Sequence, residues 1–225
     1  KAVTKDSTLS FFNRTDQAQR RSERHCQRSL SSRGASLQQL LWRSQRLHQK
    51  GGVIASEIML PPHAPEIYLV RATLWNAVEN CEKHPKAQLA YSFDIAMQNE
   101  LTLEENMELA RKFVQEQFVT KGMIADLAFH SPEKEDGGIP NPHFHVMTTM
   151  RPLNPVGTWG QKQRREYLLD EDGNRIRDKN GDYMFNAVHT TDWHEPETLE
   201  HWREQWAAAV NTKFEEKGLD VRIDH

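Results

Sequence analysis

Hydrophobic and polar residues follow two different periods along the chain after residue 51. Four segments alternate apolar with polar residues or are rich in β-branched residues, and such segments are typical of strands. Three segments carry an apolar residue at every third or fourth position, which is typical of helices with one buried face. The pattern predicts strands over 53–60, 87–97, 123–130 and 143–150, and helices over 66–83, over 102–118 and from Pro196 up to Gly218.

Capping residues support two of these helices. Thr102 and Glu105 have the spacing of a capping box, in which each side chain bonds the backbone N–H of the other residue. Pro196 suits the first position of a helix, and Gly218 suits the position just past its end. Residues 219–223 are then expected to form a last short strand.

A long polar stretch, residues 152–192, separates the last predicted helix from the strands before it. It contains the pairs Asp172-Gly173 and Asn180-Gly181, which favour tight hairpin turns. The flanking pieces 166–169 and 183–188 could pair across these turns. No internal repeat is apparent.

The order of elements predicts an α+β domain. Strand, helix, strand, helix and two further strands are followed by a closing helix, and the third and fourth strands are joined by a link short enough for a hairpin. We therefore expect a largely antiparallel central sheet flanked by helices. This domain should cover residues 51–225, because residues 1–50 are rich in Ser, Arg and Gln and lack a period, so that they are predicted to be disordered or aberrant.

Composition narrows the class of protein only modestly. No apolar run is long enough for a transmembrane helix, and no secretory signal is visible, so a cytoplasmic protein is expected. The two cysteines, Cys26 and Cys81, are predicted to be free thiols. Residues 1–50 hold 11 Lys and Arg against 3 Asp and Glu, whereas the chain as a whole has a net charge of −3. A basic segment suggests nucleic acid, but an acidic body leaves that question open.

Three histidines form the candidate chemical site. His143 and His145 lie two apart on a predicted strand, so their side chains share one face, and His130 ends the strand expected to pair with theirs. Three imidazoles on one face can hold a metal ion with open positions for water or a phosphate oxygen. Asp94, a carboxylate in mid-strand, could accept a hydrogen bond from one of these rings and fix its tautomer. The alternative is that the histidines are ordinary surface or core residues.

Basic residues follow the histidine cluster along the chain. They could hold the backbone of DNA, although a solvated hairpin explains them about as well because acidic residues lie among them. The candidates for DNA binding are Arg151, Lys162, Arg164 and Arg165, with Arg175, Arg177 and Lys179 further along.

The stretch from Gly51 to His225 resembles the MobA/MobL relaxases, which belong to the wider histidine-hydrophobic-histidine (HUH) endonucleases. The most specific part is the run Asn-Pro-His-Phe-His over 141–145 with a histidine upstream. Other matching pieces are Gly-Gly-Val at 51–53, Leu-Trp-Asn-Ala-Val-Glu at 74–79, Thr-Met-Arg-Pro at 149–152, Trp-Arg at 202–203 and Gly-Leu-Asp-Val-Arg-Ile-Asp-His at 218–225.

The resemblance implies an enzyme of plasmid mobilisation. Such enzymes nick one DNA strand at an origin of transfer by attack of a tyrosine hydroxyl, with a divalent metal, Mn or Mg, held by three histidines. It would place His130, His143 and His145 at the ligand positions and Asp94 at the family's acidic position. The implied partners are single-stranded DNA at the origin and accessory mobilisation proteins.

One part of the family pattern is missing. The family has its nucleophilic tyrosine near the N-terminus, whereas no tyrosine precedes Tyr68 here. The hypothesis is that residues 1–50 are a frame-shifted or replaced segment, and that the chain is truncated after His225. Two alternatives to an active relaxase follow: a DNA-binding remnant that keeps the metal cluster, and an unrelated histidine metallohydrolase that uses metal-bound water.

Overall fold

The computed structural model describes residues 52–82, 87–131 and 141–225. The predictions for residues 1–50, which include Cys26, and for most of the loop after His130 fall outside them. No helix in the described part of the chain is long and apolar enough to cross a membrane. The elements are β1 (Val53–Met59), α1 (Arg71–Cys81), β2 (Ala90–Ala96), α2 (Leu103–Gln117), β3 (Ala125–His130), β4 (His143–Thr149), β5 (Gln163–Tyr167), β6 (Phe185–His189) and α3 (Pro196–Glu216).

The first four strands form one sheet in the order β1-β3-β4-β2. Every neighbouring pair in this sheet is antiparallel, which confirms the α+β prediction with an antiparallel central sheet. The strands β3 and β4 are consecutive in the sequence and pair directly, so the histidines near their ends are brought together. The strands β5 and β6 form a separate two-stranded sheet.

One face of the four-stranded sheet packs against α2 and α3. Alternate residues of β2, β3 and β4 point to this face, among them Phe93, Leu127 and Phe144, and all three are buried. Trp202 of α3 meets Phe93 edge-on, with 5.1 Å between the ring centroids. Burial of aromatic side chains of this size supplies the main apolar contribution to such a core.

The opposite face of the sheet is covered by α1 at one end. Leu74, Trp75 and Val78 of α1 pack there against Ile124 and Met147. Because strand residues alternate between faces, the residues of β3 and β4 that point to this side further along are Ala128, His130, His143 and His145. The histidines therefore occupy the end of the face that α1 leaves open.

The predicted helix signals are present. Thr102 and Glu105 make the reciprocal bonds of a capping box at the start of α2, Pro196 occupies the first turn of α3, and Gly218 has a φ of 66° just past its end. Gly122, after α2, has a φ of 87°, and a Cβ there would lie 3.1 Å from the carbonyl oxygen of Leu153. Both the dihedral and the space require glycine at this position.

Two element predictions were wrong. The predicted helix over 66–83 begins as a 3₁₀ turn at Glu66–Leu69 and becomes α-helical only after the extended backbone of Val70. Residues 219–223 are not a strand. The amide side chain of Asn211 accepts from the N–H of Ile223 and donates to its carbonyl, both at 2.9 Å, so it takes the place of a strand partner.

The polar stretch folds into the predicted hairpin. It contains a short internal repeat, although the sequence analysis predicted none. Asp-Glu-Asp-Gly-Asn at 170–174 returns as Asp-Lys-Asn-Gly-Asp at 178–182. In both copies the first aspartate accepts from the backbone N–H two and four residues on. The three segments around the turns also close a cycle of backbone bonds: Leu168 N–H to Met184, Met184 N–H to Ile176, and Ile176 N–H to Leu168.

Candidate metal centre

The sheet register brings His130, His143 and His145 together. His130 lies directly opposite His143 in the pairing of β3 with β4, and His145 lies opposite Ala128. The ring centroid of His130 is 5.2 Å from that of His143 and 4.7 Å from that of His145. One nitrogen from each ring lies within 4.8 Å of the others, so the three side chains can serve one ion.

The surroundings of His145 suit a metal ligand. Asp94 lies opposite His145 in the pairing of β2 with β4, and its Oδ1 accepts a hydrogen bond from Nδ1 of the ring. This bond places the proton on Nδ1 and leaves the lone pair on Nε2. Nε2 of His145 is buried and has no hydrogen-bond partner within the described segments. A buried nitrogen acceptor of this kind fits a bound cation.

His143 is oriented in the same way by the backbone. Its Nδ1 donates to the carbonyl oxygen of Asn141 at 2.8 Å, so Nε2 again carries the lone pair. His143 is partly exposed, whereas His130 and His145 are buried. The cluster therefore has two enclosed rings and one ring at its open side, which leaves room for further ligands.

Two of the predicted DNA-binding residues form ion pairs with the same carboxylate. Nε of Arg151 and Nζ of Lys162 each lie 2.9 Å from Oε1 of Glu82, whose side chain is 8% exposed. Burial by itself raises the pKa of the Glu82 carboxyl, but the hydrogen bonds and charges of Arg151 and Lys162 outweigh it, so that its pKa lies below the usual range. Their proposed contact with DNA stays a prediction.

The other two predicted residues lie on β5. Arg164 pairs with Glu166 at 2.7 Å on the exposed side, whereas the guanidinium of Arg165 stacks on Phe185, 4.5 Å from the ring centroid. Arg165 belongs to a cluster of cations and aromatic rings in the hairpin. The sequence alone did not predict this cluster, because its members come together only when the repeated turns fold. The other stacked pairs are Arg175 on Tyr167 and Arg177 on Tyr183, both at 3.9 Å.

The four tyrosines lie in three different places. Tyr91 is buried on the face of the sheet opposite the histidines, and Tyr68 packs near Trp159 beside α1. Tyr167 and Tyr183 belong to the hairpin. All four tyrosines thus lie outside β3 and β4, the strands that carry the histidines, and Tyr91 of β2 points to the opposite face of the sheet.

Sequence comparison decides the family. The sequence model of the MobA/MobL family matches residues 34–225. This chain belongs to the MobA/MobL family. The resemblance expected for residues 51–225 is thereby confirmed, and the match also takes in residues 34–50.

Known relatives of this MobA/MobL chain carry names from DNA transfer. It is 35% identical over 190 residues to the conjugal transfer protein TraA of Agrobacterium fabrum, covering 78% of the chain and 16% of that protein. It is 29% identical over 163 residues to mobilization protein A of Escherichia coli, covering 72% of the chain and 21% of that protein. The chain thus spans only a small part of these relatives.

A solved structure supports the fold. The MobA/MobL chain matches a chain from work on the molecular basis of vancomycin resistance transfer in Staphylococcus aureus with a TM-score of 0.57. The two share 30% sequence identity, and the match covers 76% of this chain and 75% of that one.

Proposed function

We propose that this domain is the nuclease part of a relaxase, which nicks one DNA strand at a plasmid origin of transfer during mobilisation. The observation that carries the proposal is the set of three imidazoles on one open sheet face, with a carboxylate hydrogen-bonded to His145, one of the two buried rings. Membership of the MobA/MobL family supports the same conclusion.

The metal would be held by His130, His143 and His145, with Mn²⁺ or Mg²⁺ as the candidate ions. When bound, such an ion polarises an oxygen of the scissile phosphate. The residues of this chain supply the ligand nitrogens and their orientation: Asp94 fixes the tautomer of His145, and the Asn141 carbonyl fixes that of His143.

The proposed reaction is a tyrosine transesterification. The hydroxyl oxygen of a tyrosine, having lost its proton, bonds to phosphorus as the bond to the 3′ oxygen breaks. That oxygen takes up a proton and leaves as a 3′ hydroxyl, and the 5′ phosphate stays on the tyrosine. None of the four tyrosines of this chain carries the family's nucleophile motif, which favours a second candidate: a domain that binds DNA and metal but does not cleave by itself.

Single-stranded DNA at the origin is the proposed partner, with accessory mobilisation proteins beside it. The stacked arginine and aromatic side chains of the hairpin, among them Arg165 and Phe185, offer both cations for phosphates and flat groups for bases. Arg164 would add a backbone contact at the same strand. Arg151 and Lys162 would contribute less, because Glu82 neutralises one of their two positive charges.

The full chain should be incubated with Mn²⁺ and a single-stranded origin oligonucleotide, then run on a denaturing gel before and after protease treatment. A relaxase gives a protease-sensitive covalent complex, and cleavage without such a complex points to a metallohydrolase. Binding of Mn²⁺ and DNA without cleavage identifies the non-cleaving domain.

The variant His143→Ala tests the site itself. It should lose Mn²⁺ binding, measured by calorimetry, and any cleavage, because one of three ligand rings is gone. The matched control is His201→Ala, which removes an exposed imidazole from α3 and should bind Mn²⁺ as the unaltered chain does. Equal Mn²⁺ affinity of both variants would reject the proposed centre.

A further inference from the structure

A buried acid lies next to the histidines on the same sheet face. Asp126 of β3 is directly opposite Met147 of β4, and His145 is two residues before Met147. Asp126 and His145 are therefore diagonal neighbours, and in such a pair the Cβ atoms are somewhat less than about 7–8 Å apart. The Asp126 side chain is only 2% exposed, so its charge must be balanced locally.

Arg71, the first residue of α1, balances this charge through one nitrogen. Its Nε lies 3.0 and 2.9 Å from the two carboxylate oxygens of Asp126. The indole N–H of Trp75, one turn along α1, donates to the same carboxylate at 3.0 Å. Asp126 is thus bonded from two sides and holds the guanidinium in one orientation.

The contact with Asp126 uses only part of the guanidinium. Its two terminal nitrogens carry four further N–H donors, and no hydrogen bond from them is found within the described segments. The Arg71 side chain is 29% exposed, so these donors can be reached from solvent. Helix stability does not explain an arginine here, because a cation in the first turn lies at the positive end of the helix dipole.

We propose that Arg71 binds a backbone phosphate of the DNA strand beside the histidine centre, with Asp126 as the residue that positions it. This inference rests on the proposed function, and it adds a phosphate-binding residue on a different element. A planar guanidinium fixed through Nε can present its terminal N–H groups to phosphate oxygens in bidentate fashion. Its partner Asp126 is a diagonal neighbour of His145 on the sheet face that carries the histidines.

The test is the salt dependence of DNA binding by the full chain. The dissociation constant for a fluorescent oligothymidylate is measured in Mn²⁺ over a series of salt concentrations. In Arg71→Gln the slope of log K against log salt should fall by ~0.7, the value for one phosphate contact on a single strand. Affinity at low salt should fall roughly tenfold, as expected for a charge-assisted hydrogen bond.

The matched control is Arg111→Gln. Arg111 also bonds a strand carboxylate, with its Nε 2.6 Å from Glu57, but this pair lies on the side of the sheet covered by α2 and α3. Its loss removes the same charge on the opposite face of the sheet from the histidines and should change the slope much less. Equal changes in slope and affinity in Arg71→Gln and Arg111→Gln overturn the inference.

Folding is followed by thermal melting and the site by Mn²⁺ affinity. Arg71→Gln should melt at a lower temperature, because the buried Asp126 loses its counter-charge, but it should remain folded at the assay temperature and keep its Mn²⁺ affinity. If that variant does not fold, Arg71→Lys decides. Its single ammonium keeps the ion pair with Asp126 but has no second set of donors, so DNA affinity should again fall. If Arg71→Lys binds DNA as the unaltered chain does, the phosphate-binding role of Arg71 is rejected but the proposed function is not. If the unaltered chain itself does not bind DNA, the proposed function is rejected as well.

Discussion

At the scale of single residues, Asp94 decides which nitrogen of His145 can bind an ion. The carboxylate accepts from Nδ1, so the lone pair stays on Nε2, the nitrogen that points into the cluster. An amide at position 94 can present its NH₂ group instead, which favours the opposite tautomer and places a proton on Nε2. Asp94 therefore contributes to metal affinity without being a ligand itself.

Replacement of Asp94 tests this argument. Asp94→Asn should weaken Mn²⁺ binding by roughly 10–100-fold, the usual effect of removing the partner of a ligating imidazole. Calorimetric titration with Mn²⁺ measures the change, and Asp220→Asn, an exposed change of the same kind, is the control. Mn²⁺ affinity of Asp94→Asn within twofold of the unaltered chain would show that the carboxylate does not orient the ring.

At the scale of elements, the segment after α3 is held by a side chain and not by a sheet. Asn211 makes two hydrogen bonds with the backbone of Ile223, whose side chain is buried in the core. The amide group imitates the donor and acceptor of a neighbouring strand, so the segment can dock without one.

We expect Asn211→Ala to release this segment locally. Loss of two partly buried hydrogen bonds should cost about 1–2 kcal/mol of unfolding free energy. The amide of Ile223 should exchange with deuterium faster, while amides of β3 and β4 exchange as before. Thr212→Ala, which removes a bond within α3 itself, is the control. Unchanged exchange at Ile223 would count against the role given to Asn211.

Local patterns predicted most elements because alternation and helical spacing reflect which face is buried. The pair His143 and His145 was predictable for the same reason, since residues two apart on a strand share a face. The contact of Arg71 with Asp126 was not, because 55 residues separate them and only the packing of α1 on the sheet joins them. The error over 219–223 has a similar cause, since the partner is a side chain on a helix.

At the scale of the whole molecule, Glu82 joins three parts of the chain. It follows α1 and bonds Arg151, which comes after β4, and Lys162, which begins the hairpin stretch. Arg151 also donates to the carbonyl oxygen of Gly160 at 3.0 Å. One nearly buried carboxylate thus ties the base of the hairpin to the domain.

The acid sensitivity of folding should report on Glu82. Because the pKa of Glu82 is lowered in the folded chain, its stabilisation is present above its unfolded value of about 4.3 and is lost as pH falls through the lower folded pKa. Glu82→Gln should therefore destabilise the chain at neutral pH, by about 2–3 kcal/mol, and much less in acid, where the unaltered carboxyl is also neutral.

Urea unfolding of both proteins over a pH series measures this difference. Glu166→Gln is the control, because the side chains of Arg164 and Glu166 are 62% and 53% exposed, and exposed ion pairs contribute little. Its effect should be small and vary little with pH. The contrary result is that Glu82→Gln and the unaltered chain differ in free energy of unfolding by the same amount at neutral and acid pH. In that case packing, and not the ionised carboxylate of Glu82, would hold the base of the hairpin.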